Sequence, residues 1–218
     1  MDIKYFDRDI RVFYNKDNYS CAVNKSIRRG RLWETKIIDI YKKYINNQSV
    51  VLDIGANLGC HTVALSLLSK RCYAFEPQKK IYHLLKNTIE YNKLDNVKLY
   101  NNVVSNNTDE VDFKNTGCGR GGELQYRKKL YGELTKETCI TIDTLKLDKC
   151  DFIKIDVEGG EFKVLEGAEE TINKFKPVII LETWKTKRNM IKLHQFTTKN
   201  NYSFTYISGD NYLLIKNF

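Results

Sequence analysis

The run Val50–Thr62, which reads V-V-L-D-I-G-A-N-L-G-C-H-T, constrains the fold of this chain more than any other feature. It opens with mostly apolar residues, as expected of a buried strand, and its glycines then permit a tight turn. A helical pattern follows, with apolar residues on one face at Val63, Ala64, Leu67 and Leu68. A strand, a glycine turn and a helix in this order are typical of the ligand-binding edge of a parallel sheet.

Strand-like and helix-like stretches alternate along most of the chain. Short apolar stretches predict strands at Val50–Ile54, Cys72–Phe75, Val97–Tyr100, Glu110–Phe113, Thr138–Ile142, Phe152–Asp156, Pro177–Glu182, Ser203–Ile207 and Tyr212–Ile215. Apolar residues at helical spacing predict helices at Leu58–Ser69, Lys80–Asn92, Gly160–Lys174 and Arg188–Lys199. Such alternation implies right-handed crossovers between parallel strands. The predicted fold class is therefore α/β: a Rossmann-like, doubly wound, mostly parallel seven-stranded sheet with an antiparallel C-terminal strand and helices on both faces.

The length of 218 residues fits one domain, and no linker rich in proline, serine or glycine divides the chain. We expect an N-terminal extension with a leading helix over residues 1–48 and the α/β domain over residues 49–218. No apolar run approaches the roughly 20 residues that cross a bilayer, and the N-terminus lacks the apolar block of a signal peptide. The sequence therefore predicts a soluble, cytoplasmic protein without a membrane span.

The carboxyl ends of the first three predicted core strands carry the candidate cofactor-binding residues. Gly55 and Gly59 let the backbone approach a ligand closely, and the next helix directs free N–H groups at an anionic group. Glu76 ends the second strand, about 20 residues after the turn, where a carboxylate can accept hydrogen bonds from ribose hydroxyls. Asn102 and Val103 follow the third strand and are placed to contact an adenine. The predicted set is Asp53, Gly55, Ala56, Asn57, Gly59, Glu76, Pro77, Asn102 and Val103.

A second group of acidic residues follows a later strand, in the run I-K-I-D-V-E-G-G-E at Ile153–Glu161. Asp156, Glu158 and Glu161 crowd together there, and Glu182 ends the next strand and should point into the same cleft. Crowded carboxylates raise one another's pKa, which suits a general base or a divalent metal. We therefore predict Asp156, Glu158 and Glu182 as catalytic residues, with Asp156 and Glu182 as ligands of an optional Mg or Mn ion.

These motifs together resemble the FkbM-like family of methyltransferases, which have the class I fold that binds S-adenosyl-L-methionine (SAM). The resemblance covers roughly Trp33–Glu182 and is carried by V-L-D-I-G-A-N-L-G, A-F-E-P, N-T-I-E-Y-N, I-K-I-D-V-E-G-G-E-F-K-V-L-E-G-A and P-V-I-I-L-E. It implies SAM as cofactor and transfer of its methyl group to a hydroxyl oxygen of a sugar, a glycan or a polyketide. The chain departs from the family at Val103-Val104 and in the loop Gly117–Gly122.

The resemblance suggests roles for individual residues. A hydroxyl is a poor nucleophile, so a base helps, and Asp156 is the first candidate ahead of Glu158 and Glu182. A metal at Asp156 and Glu182 would instead lower the pKa of the hydroxyl.

His61, at a helix start, is interpreted as structural rather than catalytic. The loop Gly117–Gly122 is either a lid, with Arg120 contacting substrate, or a plain surface loop. Aromatic side chains that could stack on a sugar ring are Trp33, Tyr126, Tyr131 and Trp184.

Several alternatives remain open at this stage. The net charge of +9 favours anionic partners and hence an RNA or mRNA-cap 2′-O-methyltransferase. The charge is spread along the chain, however, and the closing strands lack the glutamate of a Lys-Asp-Lys-Glu pattern, so nucleic acid is the less favoured acceptor. An NAD-binding fold is disfavoured because the loop is not G-x-G-x-x-G. A non-catalytic SAM-binding module is a further alternative, and a homodimer is expected because residues 1–30 must pack somewhere.

Overall fold

The computed structural model describes residues 1–17, 21–31, 33–116, 121–123 and 132–217. In chain order, its strands are β1 (Asp2–Tyr5), β2 (Arg8–Arg11), β3 (Val50–Ile54), β4 (Arg71–Phe75), β5 (Val97–Tyr100), β6 (Val103–Val104), β7 (Glu110–Asn115), β8 (Gly122–Glu123), β9 (Glu133–Ile140), β10 (Phe152–Ile155), β11 (Val178–Glu182), β12 (Tyr202–Ser208) and β13 (Asn211–Lys216). Its helices are α1 (Ala22–Arg28), α2 (Thr35–Tyr44), α3 (Cys60–Leu68), α4 (Lys79–Tyr91), α5 (Glu161–Glu166), α6 (Glu169–Phe175) and α7 (Lys187–Lys199).

The central sheet contains seven strands in the order β12-β13-β11-β10-β3-β4-β5. Strands β11, β10, β3, β4 and β5 pair in parallel, whereas β13 runs antiparallel to both β11 and β12. This confirms the predicted seven-stranded, mostly parallel sheet with one antiparallel strand near the C-terminus.

The strand order reverses between β3 and β10, which is where an open parallel sheet leaves a crevice for ligands. Strands β4 and β5 continue from β3 to one side, and β10 pairs with β3 on the other. Ile54 and Ile155 form the last paired position of β3 and β10. The loops that follow these two residues, which contain the glycine turn and the acidic run, therefore meet at the crevice.

Apolar clusters cover both faces of the sheet, because successive strand side chains point to opposite faces. On one face, helices from the first half of the chain contribute Ile27, Ile37, Val63 and Leu85. On the other face, α5, α6 and α7 contribute Phe162, Ile172 and Leu193. Each buried side chain of this size contributes about 1.5–3 kcal/mol. The two layers of helices hold the loops at the crevice between them.

The N-terminal hairpin of β1 and β2 packs against α4 and shares the first of these clusters. The amide of Asn92 donates to the carbonyl of Arg11 at 2.7 Å, and the Arg11 N–H donates back to the Asn92 side chain at 2.9 Å. The N–H of Phe13 donates to the Thr88 hydroxyl at 3.1 Å, and Tyr5 is fully buried. Residues ahead of β3 are therefore in direct contact with the helices that flank the site.

The prediction of a single helix over Gly160–Lys174 is wrong, because the structure has two short helices, α5 and α6, in its place. The break falls after Gly167, where the chain passes close to the backbone of Ser105. A side chain at Gly167 would overlap the Ser105 carbonyl oxygen. A tertiary contact, which no periodicity can reveal, thus overrides the helical pattern.

Strands β6, β9, β7 and β8 form a separate four-stranded sheet beside the crevice. The sequence predicted strands around the insertion but not this second sheet. Of the loop Gly117–Gly122, only residues 121 and 122 are described, so Arg120 lies outside the described residues, as do Tyr126 and Tyr131. In the ranges that the structure covers, no helix combines the length and apolar character needed to cross a membrane.

Candidate active site

Two adjoining pockets occupy the crevice at the carboxyl ends of β3, β4 and β10. The Glu76 pocket contains Glu76, Pro77, Asn102, Val103 and Phe113. The Glu34 pocket contains Trp33, Glu34, His61, Lys154 and Glu182. Their shared wall is formed by Gly55, Asn57, Asp156 and Glu158.

The glycine turn adopts a backbone that only glycine accepts without strain. Gly55 and Gly59 have φ of +88° and +89°, in the left-handed region. A side chain at Gly55 would overlap the carbonyl oxygen of Asp156, so the two loops touch backbone to backbone. Gly55 thus shapes the wall between the pockets, whereas Gly59 lines neither pocket and begins α3.

Asp53 and Asn57 place buried polar atoms around this turn. Asp53 is fully buried and accepts a hydrogen bond from the Thr62 hydroxyl at 2.6 Å, and it lines neither pocket. Asn57 has φ of +51° and lines both pockets. Within the described ranges, the side-chain oxygen Oδ1 of each residue is buried without a partner. Because such an atom is costly to leave unpaired, Asn57 fits a ligand that donates a hydrogen bond. Ala56 lines the Glu34 pocket.

Glu76 is held as a hydrogen-bond acceptor at the end of β4. Its carboxylate accepts from the backbone N–H of Asn57 at 3.0 Å and of Gln78 at 2.8 Å. Burial raises the pKa of Glu76 to about 7, although the two backbone hydrogen bonds oppose this shift. A carboxylate offers about four acceptor positions, so capacity remains for the two hydroxyls of a ribose.

The far end of the Glu76 pocket is more apolar. Val103 is 6 % exposed there and Phe113 is 3 % exposed, which suits the faces of an adenine ring. Asn102 lines the pocket and its amide donates weakly to the Thr138 carbonyl at 3.4 Å. The neighbouring Asn101, which the sequence reasoning missed, donates to the carbonyls of Glu76 and Pro77, both at 2.9 Å, and fixes that loop.

The structure brings together the three carboxylates that were predicted as catalytic. Asp156 and Glu158 line both pockets, and Glu182 lines the Glu34 pocket. Burial, reinforced by the charge of Asp156, raises the pKa of Glu182 well above its ordinary value, which favours the protonated form of this group. Glu161 does not join them: its carboxylate accepts from the Gly159 N–H at 2.6 Å, at the start of its own helix.

Lys154 supplies the positive charge of this cluster, and the sequence reasoning did not select it. Its ammonium is 1 % exposed and lies 3.2 Å from Asp156 Oδ2. Burial works to lower the pKa of Lys154, but the charges of Asp156, Asp53 and Glu182 outweigh it and raise that pKa above its ordinary value. The lysine is therefore a permanent cation beside the acidic groups.

The predicted metal at Asp156 and Glu182 does not fit these surroundings. In the part of the chain that the structure describes, no three His, Cys, Asp or Glu side chains are grouped so as to hold a metal ion. Asp156 is already paired with the ammonium of Lys154.

A chain of hydrogen bonds runs along the other side of the Glu34 pocket. The ring nitrogens of His61 lie 3.0 Å from Tyr41 Oη and 3.0 Å from Glu34 Oε2. The Asn211 amide donates to Glu34 Oε1 at 3.2 Å. His61 is 6 % exposed, and both of its nitrogens are engaged, which agrees with the structural role expected for it. Glu34 and Asn211 were not predicted, because nothing local in the sequence links them.

Comparison with known proteins places this geometry in a family. Residues 53–204 match the family model described as "Methyltransferase FkbM domain". The chain is similar in structure to an FkbM methyltransferase from Methylobacillus flagellatus, with a TM-score of 0.60 and 18% identity, over 78% of this chain and 44% of that one. It is also similar to a candidate methyltransferase from Streptococcus mutans in complex with S-adenosylhomocysteine, with a TM-score of 0.51 and 12% identity, over 82% of this chain and 93% of that one.

A protein that is similar in sequence is named as an RNA methyltransferase. The chain is 28% identical over 106 residues to the ribosomal RNA small subunit methyltransferase A of Halothermothrix orenii, covering 47% of this chain and 33% of that protein. The chain thus spans less than half the length of both this relative and the Methylobacillus protein. The family match covers more than half of the chain and includes the glycine turn, Glu76 and the acidic run. The protein belongs to the FkbM methyltransferase family.

Proposed function

We propose that this protein is a SAM-dependent O-methyltransferase that transfers a methyl group to a hydroxyl of a sugar or glycan. The observation that carries the proposal is the pair of adjoining pockets, one fitted to an adenosyl group and the other lined with carboxylates and an aromatic ring. The two pockets meet at Asp156, which is where a donor and an acceptor would come together.

The Glu76 pocket has the features that SAM requires. Glu76 would accept hydrogen bonds from the ribose hydroxyls, and Val103 and Asn102 would contact the adenine. Asn57, with its unpaired side-chain oxygen, would accept a hydrogen bond from the amino group of the methionine part. The bound S-adenosylhomocysteine in the Streptococcus mutans protein supports this choice of donor. When bound, SAM supplies a methyl group on a positively charged sulfonium.

The charge of the Glu34 pocket favours a neutral acceptor over nucleic acid. Three carboxylates, from Glu34, Asp156 and Glu158, line it beside the single ammonium of Lys154, and the raised pKa of Glu182 favours the neutral form of a fourth carboxyl group. A phosphate backbone brought to this pocket would be repelled, whereas a sugar hydroxyl can donate to a carboxylate. The +9 charge of the whole chain therefore does not describe the site itself.

The residues of the shared wall suggest how transfer would be assisted. Aligning the acceptor oxygen with the bond to the methyl group is the main source of rate, and the rigid backbone contact between Gly55 and Asp156 holds the wall in place. Asp156 would take the proton from the hydroxyl, because it lines both pockets whereas Glu182 lines only the Glu34 pocket. Lys154 orients Asp156 through the contact at 3.2 Å.

The decisive measurement is methyl transfer from radiolabelled SAM to two matched panels, one of oligosaccharides and one of capped and uncapped RNA. We expect label in the oligosaccharides, in an ether that resists alkali. Label in RNA alone would overturn the sugar assignment. SAM binding by calorimetry without transfer to either panel would instead indicate a non-catalytic SAM-binding module.

An RNA 2′-O-methyltransferase is the second candidate. The net charge and the similarity to a ribosomal RNA methyltransferase favour RNA as the acceptor, without indicating which atom is methylated. The two candidates differ in salt dependence, because phosphate contacts release counterions. Activity on RNA should fall steeply between 50 and 200 mM salt, by about 10³-fold for an extended contact. Activity on a neutral sugar should change little over the same range.

A further inference from the structure

Glu34 has a backbone conformation that its own helix does not explain. It lies at the start of α2 with φ of +49° and ψ of +56°, in the left-handed region, and its side chain makes no hydrogen bond to the helix N-terminus. A non-glycine residue in this region costs on the order of 1–2 kcal/mol. Such strain persists where surrounding contacts hold a side chain for another purpose.

The contacts that hold the Glu34 carboxylate come from distant parts of the chain. His61 lies at the start of α3, and Asn211 is the first residue of β13, 177 positions from Glu34. His61 is itself fixed by Tyr41, a fully buried residue of α2. Asn211 is 1 % exposed, and its other side-chain atom, Oδ1, is buried without a partner among the described residues. The carboxylate is thus held from two sides beside a polar atom that still lacks a donor.

The Glu34 carboxylate is able to accept a further hydrogen bond. The ammonium of Lys154 is paired with Asp156. Burial works to raise the pKa of Glu34, but the hydrogen bond with His61 and the charge of Lys154 outweigh it and lower that pKa. An ionised carboxylate that makes two contacts keeps about two acceptor positions for a ligand.

The position of Glu34 points to the acceptor rather than to the methyl donor. Glu34 and Trp33 line the Glu34 pocket but not the Glu76 pocket. Both lie ahead of β3, outside the strand-end loops that contain Gly55, Glu76 and Asp156. Because function depends on the particular site residues that a shared fold carries, a segment outside those loops is where acceptor recognition is expected.

We propose that Glu34 binds the acceptor by accepting a hydrogen bond from one of its hydroxyls, and that His61 positions the Glu34 carboxylate for this contact. The proposal rests on the proposed function, and it makes the segment around Trp33 and Glu34 a determinant of acceptor specificity. Trp33 adds an aromatic face beside the carboxylate, a combination that suits a sugar ring. His61 is a positioning residue, because both of its nitrogens are already engaged.

The test compares Glu34→Gln with the control Glu90→Gln, which alters an exposed glutamate of α4. Kinetics use the oligosaccharide that the wild-type protein methylates fastest, and calorimetry measures the Kd for SAM. Glu34→Gln should raise the KM for the acceptor about 10- to 100-fold, the usual loss for a hydrogen bond to a charged group. The Kd for SAM should change less than about 2-fold, and the control should change neither.

Two outcomes would overturn the assignment of Glu34. If the variant raises the Kd for SAM about 10-fold and leaves the KM for the acceptor unchanged, then Glu34 contacts the donor. If neither constant moves, then Glu34 has only a structural role. A different result would contradict the proposed function: transfer of the labelled methyl group to RNA and none to oligosaccharides. In that case the same comparison of KM and Kd on the RNA acceptor still decides the role of Glu34.

His61 is tested with a pair of variants that differ in one donor. His61→Gln keeps an N–H that can reach Glu34, whereas His61→Leu removes it. The leucine variant should reproduce the rise in KM, the glutamine variant should restore most of the wild-type value, and His61→Leu combined with Glu34→Gln should be no worse than Glu34→Gln alone. A fall in Tm for both variants with an unchanged KM would overturn the positioning role.

Discussion

The Glu76 pocket and the Glu34 pocket share one wall but are built in different ways. The Glu76 pocket depends on backbone groups and on residues at the ends of neighbouring strands, such as Glu76 and Asn102. The Glu34 pocket depends on side chains from separate parts of the chain, including Glu34, His61 and Lys154. In the first, the Glu76 carboxylate, with a pKa of about 7, accepts from two backbone N–H groups. In the second, the side chains of Glu34 and Glu182 join the shared Asp156 and Glu158 beside the ammonium of Lys154.

This difference separates a pocket whose contacts come largely from backbone groups from one whose contacts come from side chains. Backbone groups at a glycine turn can bind a ligand with little dependence on the side chains around them. The comparison therefore predicts that variants of the Glu76 pocket change the Kd for SAM, whereas variants of the Glu34 pocket change the KM for the acceptor. Variants of the shared wall should change kcat or the free energy of unfolding.

The largest effect is expected at the shared wall, from Asp156→Asn. The substitution keeps the shape and a partner for Lys154 but removes the base, so kcat should fall about 10²- to 10⁴-fold while SAM still binds. Kinetics and calorimetry on the same preparation measure this, with the exposed Asp112→Asn of β7 as control. Unchanged turnover in Asp156→Asn would eliminate Asp156 as the base.

Gly55→Ala should damage both pockets through the fold. Its added carbon meets the Asp156 carbonyl oxygen in a left-handed backbone, so the free energy of unfolding should fall by about 2–4 kcal/mol. Gly209→Ala is the matched control, because Gly209 has φ of +59° but no atom closer than 3.9 Å. It should cost only about 1–2 kcal/mol. If urea denaturation gives equal losses in the free energy of unfolding for the two variants, then the contact between the two loops does not contribute to stability.

Glu76→Gln should act on the donor side alone. Because the variant lacks the carboxylate that would bind the ribose, the Kd for SAM should rise about 10-fold or more. The KM for the methyl acceptor should stay nearly unchanged, which is the reverse of the result expected for Glu34→Gln. Calorimetry with SAM and steady-state kinetics separate the two constants. A rise in both constants for either variant would mean that the two pockets do not work independently.

The smallest effect is a pH dependence that belongs to Glu76. Its pKa of about 7 in the folded protein exceeds its ordinary value of 4.5. Its contribution to folding stability is therefore complete below about pH 4.5 and is lost as pH rises through about 7. Ribose hydroxyls donate to the ionised form, so SAM affinity should increase about tenfold from pH 6 to pH 8. This increase should be absent from Glu76→Gln when both proteins are titrated in the same buffers.

The parts of the site that the sequence could predict are those that depend on neighbouring residues. The turn around Gly55 and the acid at Glu76 follow directly from strand ends, and the structure places both at the crevice. The pairing of residues 34 and 211 depends on how the two ends of the domain pack, which leaves no periodic signal.

Lys154 was missed for a different reason. It lies inside the apolar strand F-I-K-I, where both faces of the sheet are covered by helices, so its burial does not depend on which face it points to. A lone lysine in a buried strand, two residues ahead of an aspartate, was the available signal. The break between α5 and α6 did have a signal, the glycine at position 167, whose close approach to the backbone of Ser105 appears only in the structure.

The hydrogen bond between Glu34 and Asn211 has a consequence for the order in which the site is completed. It closes a loop of 177 positions, whereas the carboxylate of Glu76 meets the Asn57 N–H across only 19. Contacts of long sequence separation form late, and a nascent chain grows from its N-terminus. The carboxylate of Glu34 therefore gains its second anchor only after β13 has been made. On the role proposed for Glu34, the acceptor side of the site would be completed at the end of folding.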